Sequence, residues 1–280
     1  MRKSLVLAVC LVGIAGTASG TALLGRTGSV VKPMQLLAWV NFGYNKSART
    51  YNWDSASYVT PAGFLPRTTV SADVILGLGL ARRLEVGAVM PFAAKRQGEY
   101  SSSGLGDVML NARYAFLANP LSPVKAALAL GVNFPTAGRG QLLPIGDRTT
   151  DVGLGLCAHT ARLGPLIGHA RGAYWFNGKT DSIIKIGNMF EYVVNFDFVL
   201  SQVLTPQVAL SGYMIGQNLV RGTPVAHTEV SQHVVNALLL VKLAPSLVFR
   251  PKVALPVYKL SRGGSYPNFY VGVDVWVVVP

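Results

Sequence analysis

The stretch RTTVSADVILGLGL, residues 67–80, sets the fold. Val70, Ala72, Val74, Leu76, Leu78 and Leu80 alternate with Thr69, Ser71, Asp73, Gly77 and Gly79. That period of two belongs to a strand with one greasy face and one polar face. The pattern returns at Asp107–Phe116, where Val108, Leu110, Ala112, Tyr114 and Phe116 share one face and Asp107, Asn111 and Arg113 the other. A helix would scatter those charges around its axis.

Working outward, the same reading predicts about twelve strands, near 34–44, 67–80, 84–92, 105–116, 124–134, 150–161, 165–176, 188–200, 206–216, 229–242, 247–257 and 268–279. Each is long enough to cross a bilayer at a tilt. The tenth and eleventh alternate least, and Ala237–Val241 would also suit a strand buried on both faces. Connections alternate in length. Short ones run through Ala81–Arg83, Leu117–Pro123, Arg162–Gly164, Ser201–Thr205 and Leu243–Ser246, whereas Asn45–Pro66 and Pro135–Thr149 are long and polar. Short turns on one side and long loops on the other are the habit of outer-membrane barrels, and an even strand count returns the chain to the periplasm.

The chain has 280 residues, 50% hydrophobic and only 13% charged, with a net charge of +13. After the leader described below, no apolar run is long enough for a helical span, so a membrane solvent leaves a closed barrel as the solution. The positive charge is scattered, with Arg49, Arg67, Lys95, Arg96, Arg139, Lys179 and Arg262 assigned to polar connections near anionic headgroups. No Lys/Arg run interleaved with aromatics supports a nucleic-acid partner.

Residues 1–22 read as a secretory signal peptide: Arg2 and Lys3, the apolar stretch Leu5–Gly16, then small residues with two competing cleavage points between 20 and 22. Beyond it Cys157 is the only cysteine, which excludes an internal disulfide. Residues 23–33 read as either a periplasmic tail or a small plug, and 34–280 as the barrel. The predicted fold class is therefore all-β, a single closed antiparallel up-and-down transmembrane barrel in the outer membrane of a Gram-negative bacterium. Outer-membrane lipid and the barrel assembly machinery are its expected partners; its oligomeric state stays open. Phe92, Phe134, Tyr174, Phe176, Phe190 and Tyr192, on outward positions, are candidates for interfacial girdles.

With the apolar set facing out, the alternate residues line the lumen. The candidates are Asp73, Glu85, Asp107, Asn111, Arg113, Lys125, Asn133, Asp151, His159, His169, Arg171, Glu191 and Asp197, joined by Asn195, Arg250, Lys252 and Asp274. Asp107, Arg113 and Lys125 are expected to form a network, and with Asp151 to line a solute path. Inward Gly77, Gly79, Gly87, Gly131, Gly153 and Gly155 are read as permitting curvature.

Catalysis finds less support. His159 and His169 fall on adjacent strands without a serine; His227 and His233 flank a loop with Ser231 and Glu229. No metal-spaced His/Cys set exists, Gly104–Asp107 is no phosphate loop, and no cofactor is expected.

LEVGAVMPF from Leu84, SGLGDVMLNARYAF ending at Phe116, GVNFPTAGRG at Gly131–Gly140 and DVGLGL at Asp151–Leu156 resemble the outer-membrane family named for the MetA pathway of phenol degradation. The resemblance implies a transporter-like barrel for small, often aromatic or hydrophobic compounds and carries over no catalytic residue. Two departures stand out: Ala137 occupies the family's glycine position, displaced to Gly138, and the chain closes Val279-Pro280, with Trp276 the nearest aromatic. The leading expectation is passive passage of a small solute. The alternative is a non-conducting structural or adhesive barrel with partner-binding loops, and an outer-membrane lipid hydrolase ranks behind both.

Overall fold

The computed structural model describes residues 28–119, 121–138, 141–180 and 183–279. The signal-peptide reading, residues 23–27 and Arg139 lie outside them. Twelve long antiparallel strands form a closed barrel: β1 (Leu36–Asn52), β2 (Arg67–Ala81), β3 (Leu84–Gln97), β4 (Val108–Leu117), β5 (Val124–Phe134), β6 (Asp151–Thr160), β7 (Leu166–Phe176), β8 (Met189–Phe198), β9 (Leu204–Ile215), β10 (Val230–Lys242), β11 (Leu247–Pro256) and β12 (Ser265–Val279). Each pairs with its sequence neighbour, and β1 also pairs with β12 from Leu36↔Val279 to Thr50↔Ser265. Each expected strand is present. Several run further at the extracellular end, where Ser57–Val59 adds to β1 and Tyr100–Leu105 to β3.

Exposure identifies the solvent. On β2 the hydroxyl and carboxyl side chains of Thr69, Ser71 and Asp73 are buried, while Val70 is 54% exposed and Leu80 50%. Leu110, Leu128, Leu130, Leu154 and Phe196 are exposed in the same way. Leaving such side chains in water forfeits about 1.5–3 kcal/mol each. The protein is an outer-membrane β-barrel whose outer face meets hydrocarbon. Phe92, Phe134, Tyr174, Phe176 and Phe190 form an exposed aromatic band at the extracellular strand ends, and Tyr114, Phe116 and Phe198 a second one at the periplasmic ends.

The enclosed face departs from the expected rule of polar residues only. A layer of Val89, Met109, Ala129, Cys157, Ala173, Trp175, Val193 and Ala209 is fully or nearly fully buried, with Leu238 packed against it. Toward the periplasm Leu37, Trp39 and Trp276 form a second cluster, with Leu240 and Val248 beside it. This explains the weak alternation of β10: Leu238 and Leu240 point inward and their neighbours point to lipid, so both faces are apolar. On β11, Pro251 has no N–H to donate, and the recorded β10 pairs skip from Leu238↔Lys252 to Val241↔Phe249.

A polar chain crosses the seam where the barrel closes. Asn41 on β1 donates to Asp73 on β2 at 2.9 Å, and Lys252 Nζ donates to Asn41 Oδ1 at 2.9 Å and to Asp274 Oδ1 at 3.0 Å. Arg250 pairs with Asp274 at 2.6 Å and reaches Gln207, which donates to Asp197; Asp197 meets His169 at 3.0 Å. Arg250 also lies 5.0 Å over the Trp276 ring. These contacts link β2, β1, β12, β11, β9, β8 and β7.

Residues 28–35 lead into the first strand along the periplasmic end of the inner wall. Gly28 N–H donates to His159 Nδ1 at 3.0 Å, Val31 N–H to Glu85 Oε2 at 2.7 Å, and Met34 N–H to the Gly79 carbonyl at 2.8 Å. A Cβ on Gly79 would lie 2.0 Å from the Lys32 carbonyl oxygen. At this position glycine admits a second backbone, a reason beyond curvature.

Asp274 is fully buried and serves two cations. Removing one partner from a buried ion pair costs about 3–5 kcal/mol. Asp274→Ala should therefore lower the temperature at which the barrel loses its compact, fast-migrating form on gels, whereas Val70→Ala on the lipid face should leave it nearly unchanged.

Candidate functional site

The extracellular half of the barrel holds a cavity of about 330 Å³, the size at which small-molecule sites begin. Its wall mixes amides and hydroxyls, among them Asn41, Asn45, Ser71, Asn177, Ser211, Gln232 and Asn236, with the rings of Tyr213, Tyr266 and Tyr270 and the apolar Met189 and Ile215. The strand period supplies this set: Tyr213 and Ile215 alternate with the lipid-facing Met214. Trp175 and Val193 form part of the lining and also belong to the buried apolar layer, which makes that layer the floor. Trp175 Nε1 donates to Glu191 Oε1 at 2.9 Å. No cation pairs with Glu191 among the described residues, and its side chain lines the cavity.

The loop between β5 and β6 folds over this space. Asp107 accepts the N–H groups of Ala137 and Arg148 at 3.0 and 2.8 Å, and Lys95 reaches inward to the Pro144 carbonyl. A Cβ on Gly146 would lie 2.3 Å from Asp107 Oδ2, so the loop needs glycine where it passes the carboxyl. Ile145 is 3% exposed and lines the cavity beside Gly146 and Asp147. Burial, reinforced by the adjacent Asp151, pushes the Asp147 carboxyl up to about 7.

Asp107, Asn133, Asp151 and Glu191 line the cavity. All three carboxylates are engaged: Asp107 holds the loop, Asp151 accepts from Gly178 N–H at 2.9 Å and from the Thr149 hydroxyl at 2.5 Å, and Glu191 accepts from Trp175. Asp73, Glu85, Asn111, Arg113, Lys125, His159, His169, Arg171 and Asp197 share the enclosed face but stand outside the cavity lining. Arg113 pairs with Glu85 at 3.6 Å, and the His159 and His169 rings stack at 5.7 Å. The expected network of Asp107, Arg113 and Lys125 does not form. Asp107 precedes β4 and Arg113 lies in its middle, about 20 Å further along the extended strand, and Lys125 sits at the periplasmic start of β5.

Arg67 and Lys95, assigned by sequence to connections, line the cavity instead. Continuing the β3 parity from Glu85 through Val89 and Ala93 would have reached Lys95. The sequence expectation for that strand, 84–92, stops short of it.

A family model described as "Putative MetA-pathway of phenol degradation" matches residues 33–261. The chain belongs to that family. No curated protein matches its sequence. Among solved structures, the COG4313 outer membrane channel from Pseudomonas putida F1 superposes with a TM-score of 0.77 at 13% identity, covering 90% of this chain and 97% of that one. The NanC porin follows at 0.51 and 11% identity, covering 84% and 98%, and the β domain of the Bordetella autotransporter BrkA at 0.51 and 11%, covering 86% and 98%. At these identities the likeness is one of fold. For this member of the MetA-pathway family it supports the barrel, and the cavity must argue the rest.

Because the half-buried Asp147 carboxyl sits above its ordinary range, the packed loop takes up a proton that the released loop would shed. Packing is strongest below the free carboxyl value and weakens as pH rises through about 7. Hydrogen–deuterium exchange of residues 141–149 should therefore slow as pH is lowered from 8 to about 4.5, after correction for the intrinsic rate, and Asp147→Asn should remove that dependence.

Proposed function

We propose that the protein is a passive outer-membrane channel for a small solute with an aromatic or aliphatic body and a hydrogen-bonding group. The observation that carries this reading is the cavity of about 330 Å³, in which tyrosine rings and a tryptophan floor face a wall of amides and hydroxyls. Ring faces and apolar patches suit the solute's body, and the amides replace the water its polar group loses. Passage requires two closures to yield. One is the inward loop above; the other is the lower half, where packed apolar side chains, ion pairs and the segment 28–33 fill the lumen.

The cavity wall carries both signs: Asp107, Asp147, Asp151 and Glu191 face Arg67, Lys95 and Lys252, and Lys252 is already paired to Asp274.

In planar bilayers, deletion of residues 28–33 should raise single-channel conductance several-fold. Solute added to the intact protein should quench the fluorescence of Trp175. A bilayer that stays silent with both proteins, together with unquenched Trp175 across aromatic and aliphatic solutes, would dismiss the channel reading.

A further inference from the structure

Three strands of the lipid face carry a hydrogen-bonded relay whose serine and histidine stand outside the cavity lining. Tyr192 on β8, Gly212 on β9 and His233 on β10 occupy one cross-strand row. Gly212 contributes no side chain, and a Cβ there would lie 2.5 Å from His233 Nδ1 and 3.0 Å from Tyr192 Cε1. The glycine is thus what lets the phenol reach across a strand. Tyr192 Oη and His233 Nδ1 are 2.7 Å apart, and His233 Nε2 lies 2.8 Å from Ser231 Oγ.

The imidazole is held from several sides. Its residue is 9% exposed, its N–H donates to Ser261 Oγ at 3.1 Å, and its carbonyl accepts from the Tyr266 hydroxyl. Ser231 and Arg262 exchange both backbone hydrogen bonds, at 2.7 and 2.6 Å, which fixes the serine's main chain. With the ring proton on Nδ1 and donated to Tyr192, the Nε2 lone pair accepts from Ser231. That is the order of nucleophile, base and orienting group in serine acyl-transfer sites.

Depth in the membrane names the substrate. Ser231 shares its row with Met214 and Phe190, exposed residues of the extracellular aromatic zone. One outward row toward the periplasm lie Val194, Leu210 and Val235, an apolar surface on which an acyl chain can rest. Arg262, 58% exposed, stands on the headgroup side. A lipid lying on this face brings the carboxylic ester between chain and headgroup to the level of Ser231.

We propose that Ser231 is a nucleophile, activated by His233, for the acyl esters of outer-leaflet lipids. Its Oγ attacks the ester carbonyl carbon while its proton passes to His233 Nε2. The bond from that carbon to the alcohol oxygen breaks, the leaving oxygen takes the proton from Nε2, and the acyl group remains on Ser231. Water then repeats the sequence, giving a free fatty acid and restoring the serine. Tyr192 is a positioning residue. A neutral phenol orients the ring without stabilising the imidazolium as a carboxylate does, and disabling the carboxylate of a serine-protease triad lowers kcat about 10⁴-fold. Turnover is accordingly slow, and covalent capture is the sensitive readout.

The test exposes the full barrel in detergent micelles to a fluorophosphonate probe for 24 h and locates adducts by mass spectrometry. One adduct on Ser231 is expected, absent in Ser231→Ala and formed at least tenfold more slowly in His233→Gln. Tyr192→Phe should keep the adduct but shift the pH profile of its formation. Gel mobility of each variant checks that the barrel has folded. Fatty acid release is then followed in vesicles of phosphatidylethanolamine and, separately, in vesicles containing lipid A, which tells the two ester sources apart. A wild-type protein with no adduct on Ser231, or an adduct rate indifferent to His233→Gln, overturns the proposal. So does an adduct without fatty acid release from either lipid. Solute flux should be unchanged in Ser231→Ala, which lies outside the cavity lining, so this result and the channel measurements fail independently.

Discussion

A charge enclosed by a narrow ring of strands has neither bulk water nor hydrocarbon to turn to, and every charged residue on the inner wall must find a partner there or remain hydrated. Asp274 shows how the barrel meets that constraint. It is fully buried on the last strand, receives Arg250 and Lys252 from the neighbouring strand, and through Lys252 is tied to Asn41 on the first. Because Lys252 reaches past the last strand to Asn41, a cation that neutralises this carboxylate also ties together the two sides of the seam. The remaining links, through Gln207 and Asp197 to His169, extend the same solution around the wall.

This arrangement divides the interior in two. The periplasmic half behaves like the core of a small globular protein, with Met109, Val89 and Cys157 at zero exposure and ion pairs between them and the mouth. The extracellular half keeps open space because its inward positions carry amides, hydroxyls and tyrosines whose polar ends face the cavity. The floor between them is Trp175, whose ring closes the apolar layer and whose N–H meets Glu191. One residue thus belongs to the packing below and to the chemistry above.

The outer face was legible because it obeys one rule along its whole height. Val70 through Leu80 and Val108 through Phe116 alternate cleanly, and lipid imposes the same demand on every strand. The inner face obeys local rules, and there the parity argument identified positions without their roles. It placed Asp107, Arg113 and Lys125 on one side of the wall, but neither the length of β4 nor the inward turn of the loop near Gly146 can be read from alternation. Leu238 and Leu240 blurred the pattern of β10 because an inner apolar layer makes both faces alike. Ser231 and His233 were visible as neighbours in the chain. Tyr192 was not visible as their companion, since a contact spanning three strands depends on register and on the bare Cα of Gly212.

The first strand is bonded to both the second and the twelfth, while the segment leading into it is fastened to Glu85, Gly79 and His159 inside the ring. Most strand pairs join near neighbours and can form hairpin by hairpin, whereas the seam unites residues from opposite ends of the polypeptide and carries the largest loop entropy. Closing the seam fixes the start of β1 from both sides, and the three inward bonds of the leading segment then extend that anchorage into the lumen. Until that long-range zipping is complete, the sheet presents two raw edges that invite a stray chain.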